Sequence, residues 1–149
     1  MYVHGGSLHI AFNMFAFLMF GPHIEGEMGG RKFFLFYTLC GLFSAIFHMV
    51  ITGIGATQLV GASGAVIGVV TAYAIFFPRR TIYVYFVPMP AFIAVILFAV
   101  IELFSGISGV EPGIANFGHL GGMVMAFMLV KFFNFKKKES PGIAVTYYA

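Results

Sequence analysis

The chain has 149 residues, of which 60% are hydrophobic and 9% are charged, and its mean hydropathy is +0.98. A soluble domain carries about 45–50% apolar and about 25% charged residues, so this composition excludes one and indicates a protein that lies in a lipid bilayer. The net charge of +3 comes from basic residues in small groups between apolar runs, a pattern typical of membrane topology signals rather than of nucleic-acid binding.

Five apolar runs, bounded by charged residues, glycine or proline, approach the roughly 20 residues that a membrane-spanning helix needs. In chain order they are Leu8 to Ile24, Phe33 to Ile54, Leu59 to Phe77, Pro90 to Phe104, and Phe117 to Phe133. Backbone polar groups find no water partner in lipid, so each run is predicted to be helical. The predicted fold class is therefore an all-α polytopic membrane protein with five transmembrane helices. The single Cys40 is predicted to be a small buried hydrophobe.

Basic residues follow the first, third and fifth runs. They are Arg31 and Lys32, Arg79 and Arg80, and Lys136 to Lys138. Because consecutive spans alternate in direction, all three groups fall on one side, which the positive-inside rule makes cytoplasmic. The N-terminus, the turn at Ile54 to Gln58 and the loop at Ser105 to Ala115 are then external. Residues 1–135 are predicted to form one transmembrane core, and residues 136–149 a basic cytoplasmic tail.

Four polar residues lie within the first few turns of the odd-numbered spans, whose starts are all external. They are His9, Asn13, Ser63 and His119. Polar side chains within spans usually face the protein interior or a water-filled cavity, so their common shallow depth indicates a shared site. The alternative is packing alone, in which Gly61, Gly64 and Gly68 allow close helix contact and Ser63 bonds back to its own helix.

Acyl transfer is the chemistry that fits these residue types. The Ser63 hydroxyl becomes a nucleophile when a base removes its proton, and His119 is the candidate base. The resulting oxyanion needs hydrogen-bond donors, which His9, Asn13 and the backbone N–H of Ser63 can supply. The chain has no aspartate, and none of its glutamates has a predicted place beside His119; they are Glu25, Glu27, Glu102, Glu111 and Glu139. The sequence therefore predicts a Ser-His dyad rather than a triad.

Two other functions fit the sequence less well than serine-type acyl transfer. A catalytic zinc takes three protein ligands, often including a His-Glu-x-x-His helix, and the sequence lacks that motif. A transporter or channel is possible on composition, but no charged pathway crosses the predicted membrane. His23 and His48 have no predicted partners. No metal and no other cofactor is predicted.

The sequence resembles the rhomboid family of intramembrane serine proteases over nearly its whole length. The likeness rests on several motifs in the family's order: His4 with His9-Ile10-Ala11-Phe12-Asn13, Gly61-Ala62-Ser63-Gly64, and His119-Leu120-Gly121-Gly122. Gly21, Glu25 and Gly29 also match a Gly-x-x-x-Glu-x-x-x-Gly element, to which the resemblance gives a structural role. Any one of these motifs is weak, but their combination on the predicted spans is specific.

The resemblance implies a rhomboid-like helical bundle that cleaves transmembrane or membrane-proximal segments of other proteins, with no metal, nucleotide or nucleic acid involved. It implies a six-helix core, so the first core helix is expected to be missing from this chain. It also implies a multi-pass protein of a bacterial cytoplasmic membrane, with its active site toward the external side. Many relatives carry an aromatic residue one turn after the nucleophile, where Ile67 stands here, so stacking on His119 from that position is lost. The alternative function is a catalytically inactive rhomboid-like protein that binds transmembrane helices.

Overall fold

The computed structural model describes residues 6–53, 62–84, 86–109, 115–133 and 135. These contain five helices: α1 (Ser7–Met28), α2 (Gly30–Thr52), α3 (Ser63–Phe76), α4 (Ala91–Ser108) and α5 (Asn116–Lys131). A short hairpin of β1 (Thr81–Val84) and β2 (Val87–Pro90) joins α3 to α4. Several predictions concern residues that lie outside the described ones, namely His4, Gly61, Glu111 and residues 136–149.

The five predicted helices are confirmed, although their lengths differ from one another. Within the described residues, α1, α2 and α4 are long and apolar enough to cross a membrane. Helix α3 has 14 residues and α5 has 16, which correspond to about 21 and 24 Å at 1.5 Å per residue. The structure therefore agrees with a helical polytopic membrane protein.

The hairpin is an element that the all-helical prediction did not contain. Its strands are antiparallel, with Thr81 opposite Pro90 and Val84 opposite Val87. Tyrosine and β-branched residues favour extended backbone, and the prolines of β2 are tolerated because each strand has a free edge. The backbone N–H of Ala91 donates to the carbonyl of Arg80 at 2.9 Å, so the hairpin fixes the start of α4 beside the end of α3.

The turn between α1 and α2 consists of one residue, Gly29. Its φ of +80° lies in the region that favours glycine, and its N–H donates to the carbonyl of Glu25 at 2.7 Å. Gly21 is buried, and a side chain there would contact the Phe33 ring at 3.5 Å. The three residues of the predicted structural element thus lie where α1 and α2 meet.

Helix α3 lies at the centre of the bundle. Nine of its 14 residues are buried, from Gly64 to Ala74, and it packs on all four other helices. The second half of α3 contributes Val69 and Ala72 to a core that also contains Ile24, Phe36 and Cys40. Cys40 is fully buried, which confirms its prediction as a small core residue. By contrast, large apolar side chains on the outer faces of α1, α2 and α4 are exposed, as a lipid-facing surface requires.

Candidate active site

Ser63 and His119 lie at the starts of two adjacent helices. Ser63 is the first residue of α3, and His119 lies in the first turn of α5. The Nε2 atom of His119 is 2.9 Å from the Oγ atom of Ser63, within hydrogen-bond distance, and the pair is partly buried. The structure thus brings together the two residues that the sequence predicts as nucleophile and base.

Close backbone packing between α3 and α5 sets this distance. A Cβ atom added at Gly122 would collide with the carbonyl oxygen of Gly64, and one added at Gly64 would collide with the Ser44 side chain. A Cβ atom at Gly121 would lie 2.7 Å from the Cβ of Phe47 on α2. The glycines beside Ser63 and His119 therefore let three helices approach closely enough for the two side chains to meet.

Three backbone N–H groups at the start of α3 are close to Ser63 in sequence and are not used by the helix itself. The first hydrogen bond within α3 runs from the N–H of Val66 to the carbonyl of Ala62, at 2.9 Å. The N–H groups of Ser63, Gly64 and Ala65 consequently have no partner inside the helix. Together with the partial positive charge of a helix N-terminus, these groups favour a negative charge near Ser63.

His9 and Asn13 lie one turn apart on α1, which packs against α3. Asn13 is buried, and its Nδ2 donates to the carbonyl of His9 at 2.8 Å. An amide nitrogen carries two hydrogens, so one remains for another acceptor. His9 is half-buried. The oxyanion role of both residues stays a prediction.

A carboxylate lies beside His119, and the prediction that none would is wrong. Glu102 on α4 is 8% exposed, and its Oε1 is 3.1 Å from the Nδ1 of His119. The distance is that of an ion pair, but Nδ1 does not meet the angular requirement for a hydrogen bond in this structure. A single apolar run in the sequence does not indicate which other helix it packs on, so the contact of α4 with the start of α5 was not predictable.

A family profile decides the classification. The profile of the rhomboid domain matches residues 1–134 of the chain. The chain belongs to the rhomboid family.

Several curated proteins are similar to this rhomboid. It is 33% identical over 129 residues to RHOMBOID-like protein 4 of Arabidopsis thaliana, a match that covers 86% of this chain and 31% of that protein. It is 28% identical to Rhomboid-type serine protease 2 of Emericella nidulans, covering 87% of this chain and 25% of that protein. It is also 28% identical to Putative rhomboid protease YdcA of Bacillus subtilis, covering 87% and 64% respectively. No solved structure matches the chain.

The chain spans about a quarter to two fifths of the length of the first relatives, with 31%, 40% and 25% of their residues covered. The three relatives named above come from a plant, a fungus and a bacterium. The predicted bacterial origin is therefore not assigned by these similarities.

Two residues near the base of this rhomboid were missed by sequence reasoning. The Phe98 ring on α4 lies 6.3 Å from the His119 ring, centroid to centroid, so an aromatic contact comes from α4 although Ile67 replaces the aromatic on α3. His48 on α2 is 3% exposed and interacts electrostatically with His119. Its ring nitrogens have no hydrogen-bond partner within the described part of the chain. His23, in contrast, is exposed, and its Nδ1–H donates to the Met19 carbonyl at 3.1 Å.

An apolar cavity of about 440 Å³ lies between α1, α3, α4 and the hairpin. Its lining includes Ile67, one turn after the nucleophile, and Phe98, beside the base. The cavity therefore adjoins the level of Ser63 and His119. Among the described residues, no group of three or more His, Cys, Asp or Glu side chains is arranged to hold a metal ion.

Proposed function

We propose that this rhomboid chain forms the core of a serine endopeptidase that cuts transmembrane or membrane-proximal segments of other membrane proteins. The observation that carries the proposal is the 2.9 Å contact between the Ser63 hydroxyl and the His119 imidazole. The protease names of the fungal and bacterial relatives support it. A module that only binds helices has no chemical need for this pair.

The proposed reaction is a two-step acyl transfer. His119 Nε2 accepts the proton of Ser63 as Oγ attacks the carbonyl carbon of the substrate, and the carbonyl electrons form an oxyanion. When this intermediate collapses, the C–N bond breaks and the leaving amine takes the proton from Nε2. Water then gives one proton to His119 and attacks the acyl-serine ester. Collapse releases the carboxylic acid and returns the proton to Ser63.

Donors around Ser63 would stabilise the oxyanion. The N–H of Ser63 has no partner inside α3, and the side chain of Asn13 retains one free hydrogen beyond its bond to His9. These donors sit in a partly buried site, where a hydrogen bond to a developing charge is stronger than in water. His9 is the third proposed donor.

The apolar cavity supports a membrane-protein substrate. Its lining, which includes Phe12, Val70 and Met123, suits apolar side chains from a transmembrane segment. Peptide groups in a membrane helix are hydrogen-bonded, so the substrate helix must unwind locally before its carbonyl reaches Ser63. Helix-destabilising residues near the cut should therefore be preferred, and the resemblance to the family implies small residues there as well. The reaction uses water and protein groups, and no metal or other cofactor is proposed.

A fluorophosphonate probe tests this function, because it reacts with serines activated by a base. Purified wild-type protein is expected to be labelled and to cleave a transmembrane reporter in liposomes, whereas Ser63→Ala is expected to do neither. Ser7→Ala, which removes an exposed hydroxyl at the start of α1, is the matched control and should behave like the wild type. Thermal unfolding in detergent establishes that each variant is folded.

Continued cleavage by purified Ser63→Ala would reject the serine mechanism. A folded wild type that neither reacts with the probe nor cleaves would instead favour the inactive, helix-binding function.

The proposed orientation places the ends of α1 and α3 on the cytoplasmic side and the Ser63 level toward the external side of a bacterial cytoplasmic membrane. The ends that carry Arg31 and Arg79 lie together, since the His23 ring near the end of α1 is 6.4 Å from the Phe77 ring that follows α3. Grouped basic residues at one membrane face are typical of the cytoplasmic side. The tail at residues 136–149 is proposed to lie on that side as well.

A membrane-impermeant maleimide tests the orientation in intact cells. Ser7→Cys should react, and Arg79→Cys should react only after the membrane is permeabilised, because both positions are exposed but at opposite ends of the bundle. The buried Cys40 gives the background in the unsubstituted protein. The reverse pattern of labelling would contradict the proposed orientation.

A further inference from the structure

Glu102 is a buried acid that the two-step reaction, as proposed above, does not use. It is 8% exposed and is the one charged residue type within α4, and its Oε2 has no hydrogen-bond partner within the described part of the chain. The other described carboxylates, Glu25 and Glu27, lie near the opposite end of the bundle on α1. A carboxyl group inside a membrane helix is costly, so its position beside His119 requires an explanation.

We propose that Glu102 is a positioning residue for His119. It acts by accepting a hydrogen bond from Nδ1–H, which holds the imidazole in the tautomer whose Nε2 lone pair faces Ser63. The inference rests on the proposed serine mechanism and adds a third residue to the predicted dyad.

The two nitrogens of the His119 ring contact different partners. Nε2 is 2.9 Å from Ser63 Oγ, and Nδ1 is 3.1 Å from Glu102 Oε1. A neutral imidazole has one donor nitrogen and one acceptor nitrogen, whereas a carboxylate only accepts. With a carboxylate at Nδ1, that nitrogen must be the donor, and Nε2 is left free to take the Ser63 proton. A protonated Glu102 donating to Nδ1 would put a hydrogen on Nε2, and this tautomer cannot act as the base.

Helix packing holds the carboxyl group in place. One turn beyond Glu102, a Cβ atom added at Gly106 would lie 3.0 Å from the Phe117 ring of α5. Gly106 is four residues after Glu102 on α4, and Phe117 is two residues before His119 on α5, so the two helices are in close contact beside the pair of Glu102 and His119. The contact fixes the separation of α4 and α5 where Glu102 faces the imidazole.

Among the described residues, the other groups around His119 do not suit the role of acceptor. Phe98 from α4 presents an aromatic ring, and Ser63 from α3 already faces Nε2. His48 from α2 is the other titratable group that interacts with His119. It offers at most a neutral nitrogen, so it cannot stabilise the imidazolium that forms during catalysis as a carboxylate does.

The contact between Nδ1 and Oε1 is at hydrogen-bond distance but is not aligned for a hydrogen bond. Catalytic hydrogen bonds are often poorly aligned before substrate binds and become aligned in the complex. At 3.1 Å, a small rotation of the ring or the carboxyl group is enough to align them.

The test compares Glu102→Gln and Glu102→Asp with the wild type in reporter cleavage and fluorophosphonate labelling. Glu102→Gln keeps the shape but allows the wrong tautomer, so kcat and the labelling rate should fall in parallel by up to roughly 10⁴-fold, the loss that follows when the triad carboxylate of another serine protease is changed to an amide. KM should change less than about threefold, because Glu102 does not contact substrate. Glu102→Asp, which keeps a carboxylate, should have a kcat between those of Glu102→Gln and the wild type. Glu27→Gln, the same substitution at the other end of the bundle, should have no effect.

Nitrogen NMR of ¹⁵N-histidine protein supplies a readout that a structural role would not change. The His119 signals are assigned by their loss in His119→Ala. In the wild type, Nδ1 should be protonated and Nε2 unprotonated, and Glu102→Gln should lose this preference. This measurement also tests the inference if Glu102→Gln fails to fold, because the wild-type tautomer is determined without that variant and only the assignment requires His119→Ala.

Failure of the inference about Glu102 and failure of the proposed function give different experimental results. An active wild type with a protonated Nε2, or a folded Glu102→Gln that cleaves at the wild-type rate, would overturn the role of Glu102 and leave the serine mechanism intact. A folded wild type that is neither labelled nor active would overturn the proposed function and this inference with it.

Discussion

Replacing His119 with alanine is expected to lower kcat for cleavage of a transmembrane reporter by roughly 10⁴- to 10⁶-fold, as removal of the base does in other serine enzymes. The Ser63 hydroxyl is 2.9 Å from Nε2 of His119, the base predicted for it. Without His119, the hydroxyl keeps its proton and remains a weak nucleophile. The rate should be measured in single-turnover experiments in liposomes, so that slow product release does not hide the chemical step.

A second consequence is that the double variant Ser63→Ala, His119→Ala should be no slower than either single variant, because the two residues act as one unit. His23→Ala is the matched control, since it removes an exposed imidazole whose ring contacts Tyr73 and lies far from the site. It is expected to retain wild-type kcat. If His119→Ala and His23→Ala gave the same rate, His119 would not be the base.

The substitution Gly122→Ala is expected to disrupt the bundle, with a loss of about 3 kcal/mol or more in the free energy of unfolding. The added Cβ collides with the backbone carbonyl oxygen of Gly64, which is adjacent to the nucleophile. A backbone group cannot rotate away as a flexible side chain does, so α3 and α5 must separate. Cleavage should also be lost in any fraction that folds, because separation of the helices lengthens the contact between Ser63 and His119.

Gly26→Ala provides the comparison for this prediction. Gly26 lies within α1, and among the described residues no atom beyond its own neighbours and helix backbone is within 4 Å of the position that its Cβ would occupy. Alanine is a better helix residue than glycine by about 0.5–1 kcal/mol, so this variant should be as stable as the wild type or more stable. Both should be measured by thermal unfolding in the same detergent. Equal stability of Gly122→Ala and the wild type would contradict the described packing of α3 against α5.

Much of the architecture was predictable because the bilayer restricts the choices. Apolar runs in lipid must satisfy their own backbone hydrogen bonds, so run length and bounding residues were enough to predict five helices. The predicted boundaries were less accurate. The fourth apolar run is predicted to end at Phe104, but the helix continues to Ser108 in a segment where α4 packs on α5. The hairpin at Thr81–Val84 and Val87–Pro90 was not predicted, since pairing of two short strands leaves little signal in sequence.

The sequence by itself determined the helical class, the membrane setting and the candidate pair Ser63 and His119. Residue type, motif and depth along a span are properties of single segments, and they are readable one at a time. Only the tertiary structure decided which groups surround that pair. Glu102 and Phe98 lie on α4, and neither stands in a motif with His119; they face the imidazole because α4 and α5 pack in one particular rotation. That rotation results from packing between glycines and aromatic rings on different helices, such as Gly106 and Phe117. No local sequence pattern encodes these contacts.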